Sequence, residues 1–140
     1  MLHLINKRYS LLLTVIIFSS LLSGFIIPGK VFIKTSPKIV FKKDSHNFGK
    51  VESGIVLSYA FKFTNKGSET LKIENITTSC GCTGATVGEK TEYEKNESGE
   101  IKVTFNTQGR SGLQEKVIIV HSNDPKNPHK VLKVKCNIIE

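Results

Sequence analysis

Residues 55–64 read Ile-Val-Leu-Ser-Tyr-Ala-Phe-Lys-Phe-Thr. Ile55, Leu57, Tyr59, Phe61 and Phe63 take every second position, with Ser58, Ala60, Lys62 and Thr64 between them. Successive side chains of an extended strand point to opposite faces, so this spacing gives one apolar face over a core and one face in water. The same alternation returns in Leu71 and Ile73, in Ile101, Val103 and Phe105, and in Leu132, Val134, Cys136 and Ile138. No segment after residue 30 sustains a helical period.

Turn chemistry separates these runs: His46-Asn47-Phe48-Gly49, Asn65-Lys66-Gly67-Ser68, Glu97-Ser98-Gly99 and the stretch from Asn123 to Pro128. The spacing predicts strands over 39–44, 54–64, 70–78, 84–88, 100–106, 114–122 and 129–138. Seven strands match an all-β, immunoglobulin-like seven-stranded sandwich preceded by one N-terminal hydrophobic helix. A jelly roll or an open barrel is the alternative, for which the count is low. Cys136 shares the inward phase of Leu132 and Val134, which makes it a small core residue.

At 140 residues the chain has room for one domain and a short extra segment. That segment is residues 1–27, in which Lys7 and Arg8 precede an uncharged run of 17 residues from Leu11 to Ile27. Its length lies between a cleaved signal and a spanning helix. Cleavage after Ser23 or Gly24 would place Leu21 or Leu22 where a small residue is preferred, so the reading is an uncleaved anchor, with a cleaved signal as the alternative. Leu22-Ser23-Gly24 resembles the opening of a lipoprotein processing box, but Phe25 stands where the lipidated cysteine is needed, so the chain is not a lipoprotein. Residues 28–38 read as a tether and 39–140 as the domain. The expected location is extracytoplasmic, in the periplasm or cell envelope, with the membrane engaged through residues 11–27.

The formal charge of +8 falls only to +6 without the first 27 residues, because 18 basic and 12 acidic residues remain. Lys62, Lys72, Lys102, Lys133 and Lys135 alternate with apolar residues, which reads as a solvated sheet face and not as a nucleic-acid surface.

Cys80-Gly81-Cys82 is the most unusual local feature. Two cysteines one residue apart can chelate a soft metal, close a disulfide, or bury two small side chains at a tight bend, and Gly81 permits the bend in each case. A metal needs further ligands, for which Cys136, His46, His121 and His129 are the candidates. The favoured reading is a structural corner, and a copper or thiol site built on Cys80, Cys82, Cys136 and His121 is its alternative. No cofactor is expected. The chain has no phosphate loop, no Gly-x-Ser-x-Gly elbow and no His-Glu-x-x-His helix, so it reads as a non-enzyme. Asp44, Glu52 and Asp124 fall in turn-like stretches that suit capping and solvation. Two glycosylation triplets, at Asn75 and Asn96, receive no role.

Phe48-Gly49-Lys50-Val51, Gly54, Phe61 to Gly67, Ser79 to Thr83, Gly99 to Phe105, Gly109 to Gly112 and Ser122 to Pro125 together resemble the DUF1573 family over about residues 40–138. The resemblance implies an exported bacterial domain of the Hydin and ASPM immunoglobulin-like type, with no established enzymatic activity. The chain departs from the family pattern at Lys95-Asn96, where a Pro-Gly pair is usual, and at Phe25. The expected function is a non-catalytic envelope module that binds or scaffolds a protein or surface polymer through a strand edge or end loop, without nucleic acid.

Overall fold

The computed structural model describes residues 35–139. These residues form nine strands: β1 (Ile39–Phe41), β2 (Ser45–Glu52), β3 (Val56–Asn65), β4 (Leu71–Thr78), β5 (Thr83–Thr86), β6 (Glu92–Tyr93), β7 (Ser98–Asn106), β8 (Gly112–Ser122) and β9 (His129–Ile139). They form two sheets, one in the order β1-β3-β7-β5 and the other in the order β2-β9-β8-β4-β6. No helix among the described residues is long and apolar enough to cross a membrane. The hydrophobic segment expected to be helical lies outside the described residues.

The all-β, two-sheet expectation holds, and the expected count of seven strands is corrected to nine. The turn expected at His46–Gly49 lies inside β2, which runs parallel to β9 with a bulge between Asn47 and Lys50. Gly49 has φ 75°, and Asn47 Oδ1 accepts its N–H at 2.9 Å. The turn residues are real but serve a bulge, which bends an edge strand without ending it. The other added strand, β6, is two residues long and pairs Leu71 and Lys72 with Tyr93 and Glu92. A segment that short has no periodicity to read.

The inward phases hold. Phe61, Phe63, Ile101, Val103, Leu132 and Val134 are each at most 1% exposed. Leu57, Phe105, Cys136 and Ile138 form a smaller cluster at one end. Ile55 breaks the phase at 40% exposure, because β3 begins one residue later. Its N–H and C=O pair instead with Thr107, a buried threonine beyond the end of β7.

Two buried polar side chains organise the opposite end. Asn65 accepts from the Lys38 and Gly67 amides and donates to the Glu69 and Tyr93 carbonyls. Asp124 is 1% exposed and accepts from the amides of Ile39, Lys126 and Asn127. It caps backbone, as expected, but it is not solvated. The ordered fold therefore reaches back into the tether: Ser36 O accepts from Ser68 N, and Lys38 O accepts from Lys66 N. Asn96 takes the left-handed conformation at φ 64° in the turn closed by Glu97 N to Glu94 O. Asparagine tolerates that region, which is how this chain makes the turn without Pro-Gly.

Candidate functional site

β4 ends in the five-stranded sheet and β5 begins in the four-stranded one, so residues 79–82 carry the chain between layers. The crossing is tied on both sides. Ser79 N donates to Val117 O at 3.0 Å, Ser79 Oγ accepts from Val117 N, and Asn106 N donates to Cys82 O at 3.0 Å. Thr83 N closes a turn back to Cys80 O, and the Thr78 hydroxyl donates to the same carbonyl. Unpaired backbone groups at such a crossing are costly, and these bonds satisfy them.

Of the three uses open to the cysteine pair, the structure adopts the disulfide: Cys80 and Cys82 are joined, with their Cα atoms 5.3 Å apart. Both are half-buried, and Cys82 packs on the small cluster that contains Cys136. Cys136 is a free, buried thiol whose pKa is pushed up by burial, with the Lys116 ammonium opposing.

The expectation for Gly81 is corrected. Its φ is not positive, it is exposed, and a Cβ placed there would meet nothing within 4 Å. The corner is made by hydrogen bonds and the disulfide and does not need the freedom of glycine.

The alternative ligand set Cys80, Cys82, Cys136 and His121 is not assembled. The first two are bonded to each other, and Cys136 faces the core. His121 lies four residues along β8 from Val117, about 13 Å in an extended strand. Its Nε2 is 3.2 Å from Thr77 Oγ1, and its ring meets His129 edge-on. His46 is stacked on Tyr59. No group of three or more metal-ligating side chains is found among the described residues.

Among the described residues, the corner opens directly onto an edge with no partner strand. β5 pairs with β7 on one side only, matching Thr83 with Phe105, Gly84 with Thr104, Ala85 with Val103 and Thr86 with Lys102. The bond from Asn106 N to Cys82 O sets the antiparallel alternation, so Gly84 and Thr86 exchange bonds with β7. Ala85 is the intervening residue: its N–H and C=O point away from β7, along the open edge, while its methyl packs on the core. The strand Thr-Gly-Ala-Thr holds no charge and no proline, and its pairing with β7 has no bulge. Charge, proline and bulges are among the devices that usually blunt an edge; the four-residue length of β5 limits the edge it offers to the groups of Ala85. The sequence spacing predicts this strand at 84–88, close to its place at Thr83–Thr86, and does not show which edge stays open, because that depends on strand order.

The two-sheet arrangement, with β1 and β2 in different layers, is an immunoglobulin-like sandwich. The DUF1573 model, a protein family of unknown function, matches residues 39–138, and the chain belongs to that family. A protein of unknown function from Porphyromonas gingivalis W83 is similar in structure, at 20% identity and a TM-score of 0.66, over 74% of this chain and 47% of that one. The chain thus spans about half the length of that protein. An ASH/PapD-like domain of human CEP192 is similar at 14% identity and a TM-score of 0.58, over 75% of this chain and 87% of that one. The periplasmic chaperone SfaE is similar at 7% identity and a TM-score of 0.52, over 74% and 60% of the two chains. These likenesses are of fold. No curated protein matches the chain.

Proposed function

We propose that the domain is a non-catalytic, extracytoplasmic interaction module that takes up an extended segment of an envelope protein along β5. The observation that carries this reading is the open edge at Ala85, held beside a disulfide-fixed corner. Strand addition draws its affinity from main-chain hydrogen bonds, and an edge without charge, proline or bulge offers them without obstruction. The corner fixes where β5 begins, so the edge is presented at little ordering cost.

Ala85→Pro removes one edge N–H while leaving the bonds of Gly84 and Thr86 to β7 in place. With a photo-crosslinking residue at Thr86, the full chain should capture a partner in envelope membranes, and Ala85→Pro should abolish capture. Melting curves of the variant confirm that it folds. Capture undiminished by Ala85→Pro in a folded variant overturns the reading.

A second reading is thiol handling. It draws on the Cys80–Cys82 disulfide packing against the cluster that holds the Cys136 thiol. Free-thiol counting on the native chain tests it: a disulfide that opens under mild reductant without loss of fold supports thiol handling, and one that resists favours a purely structural pair.

A further inference from the structure

We propose that the end of the sandwich opposite the disulfide holds a binding site for phosphate-bearing anions. A concavity of about 280 Å³ lies there, bordered by Lys38, Lys66, Lys95 and Lys126 together with Ser36 and Ser68. The four lysines come from four separate loops, and each is exposed. Elsewhere Lys72, Lys90, Lys130, Lys133 and Lys135 pair with carboxylates, whereas among the described residues Lys62 and Lys102 on the sheet face do not. Among the described residues none of the four pocket lysines makes such a pair, and the Lys66 ammonium has only the Asn96 side-chain oxygen at 3.5 Å.

Among the described residues the one acid in the lining is Asp124, so the lining they form carries four positive charges against one negative, a net +3. Asp124 is already committed. Its oxygens accept from the Ile39, Lys126 and Asn127 amides and from the Asn127 side chain. It anchors the loop, and its charge offsets one of the four lysines, which leaves three in excess.

The loops are fixed in advance. Buried Asn65 binds the Lys38 and Gly67 amides, and Lys66 N and Ser68 N donate to Lys38 O and Ser36 O. Gly67 lies so close beneath residues 36–38 that a Cβ would come within 2.3 Å of Ser36 O. Ammonium groups on rigid backbone gain more from a multiply charged anion than the same groups on a mobile chain.

The chemistry points to phosphate. Lysine acts as a compact point charge that suits phosphate oxygens, and the serine hydroxyls can donate alongside it. Among the described residues, no aromatic ring lines the concavity on which a base could stack. A free polyphosphate and the phosphate of an anionic lipid headgroup present the same groups. The second is relevant because the wall at Ser36–Lys38 follows soon after the apolar run that ends at Ile27.

The full chain in neutral detergent is titrated with tripolyphosphate in one arm and with phosphatidylglycerol doped into the micelles in the other, following backbone amide shifts by NMR. The expected result is a response centred on Gly67 and Lys126 in at least one arm, which also assigns the source. The double variant Lys66→Gln/Lys126→Gln should weaken it about tenfold or more. Lys62→Gln/Lys102→Gln removes the same charge from the outer sheet face and should change it by less than about twofold. No response in either arm, or equal weakening by both double variants, overturns the proposal. The site lies at the far end from β5, so this outcome is independent of the strand-addition test.

Discussion

His46 on β2 and Tyr59 on β3 stack across the two sheets, with ring centroids 3.7 Å apart and planes 10° from parallel. Phe48 meets the His46 ring edge-on at 4.5 Å, and Phe61 meets Tyr59 at 4.8 Å. The chain crosses from one sheet to the other between β1 and β2, and these aromatics close the side of the sandwich it leaves. Burial and the nearby Lys43 ammonium lower the pKa of His46 from its ordinary 6.5.

A lowered histidine pKa means that the unfolded chain binds the proton more readily than the folded one. The stability linked to His46 is therefore complete above pH 6.5 and falls as the pH drops below that value, until the folded pKa is passed. His46→Phe keeps a flat ring against Tyr59 and removes the proton. The fall in Tm between about pH 7 and pH 5 should be smaller in the variant than in the native chain. Equal falls would place the pH sensitivity elsewhere.

Phe61→Ala should cost about 3 to 5 kcal/mol in denaturant unfolding, because the ring is 1% exposed between the sheets. Lys62 is on the outer face, opposite Glu100. Its replacement by alanine should cost under about 0.5 kcal/mol. Comparable losses would mean that the strand faces the other way.

Two glycines should behave in opposite ways. Gly67→Ala forces a Cβ against backbone atoms of Ser36, Pro37 and Lys38 at 2.3 to 2.6 Å, and should cost about 1 to 3 kcal/mol. Gly81→Val, in open space without a positive φ, should cost under about 0.5 kcal/mol. Thermal unfolding of both variants checks the contrast, and severe loss at Gly81 would restore a tight bend there.

The Cys80–Cys82 disulfide closes a loop with a sequence separation of 2. So short a loop removes little freedom from the unfolded chain, and its entropic contribution is about 2 kcal/mol or less. Cys80→Ser/Cys82→Ser should fold and lose no more than that, since the hydrogen bonds to Val117 and Asn106 remain. Failure of the double variant to fold would make the disulfide the main support of the corner.

The sequence by itself determined the fold class and the core. Alternation of period two is a local property, so Phe61, Phe63, Ile101, Val103, Leu132, Val134 and Cys136 could be placed inward without knowing any partner strand. It also marked residues 79–82 as the place where the chain turns. Only the tertiary structure decided that His46–Gly49 forms a bulge within β2, because a bulge and a turn use the same residues and differ in whether a neighbouring strand continues the ladder. The same holds for the open edge at Ala85, which depends on β5 being last in its sheet. The lysine cluster was hidden for a related reason. Lys38, Lys66, Lys95 and Lys126 are separated by about 30 residues each and look like scattered surface charge. The four converge because Asn65 and Asp124 are buried and bind the backbone of their loops, and burial is a property of the assembled fold that no local pattern contains.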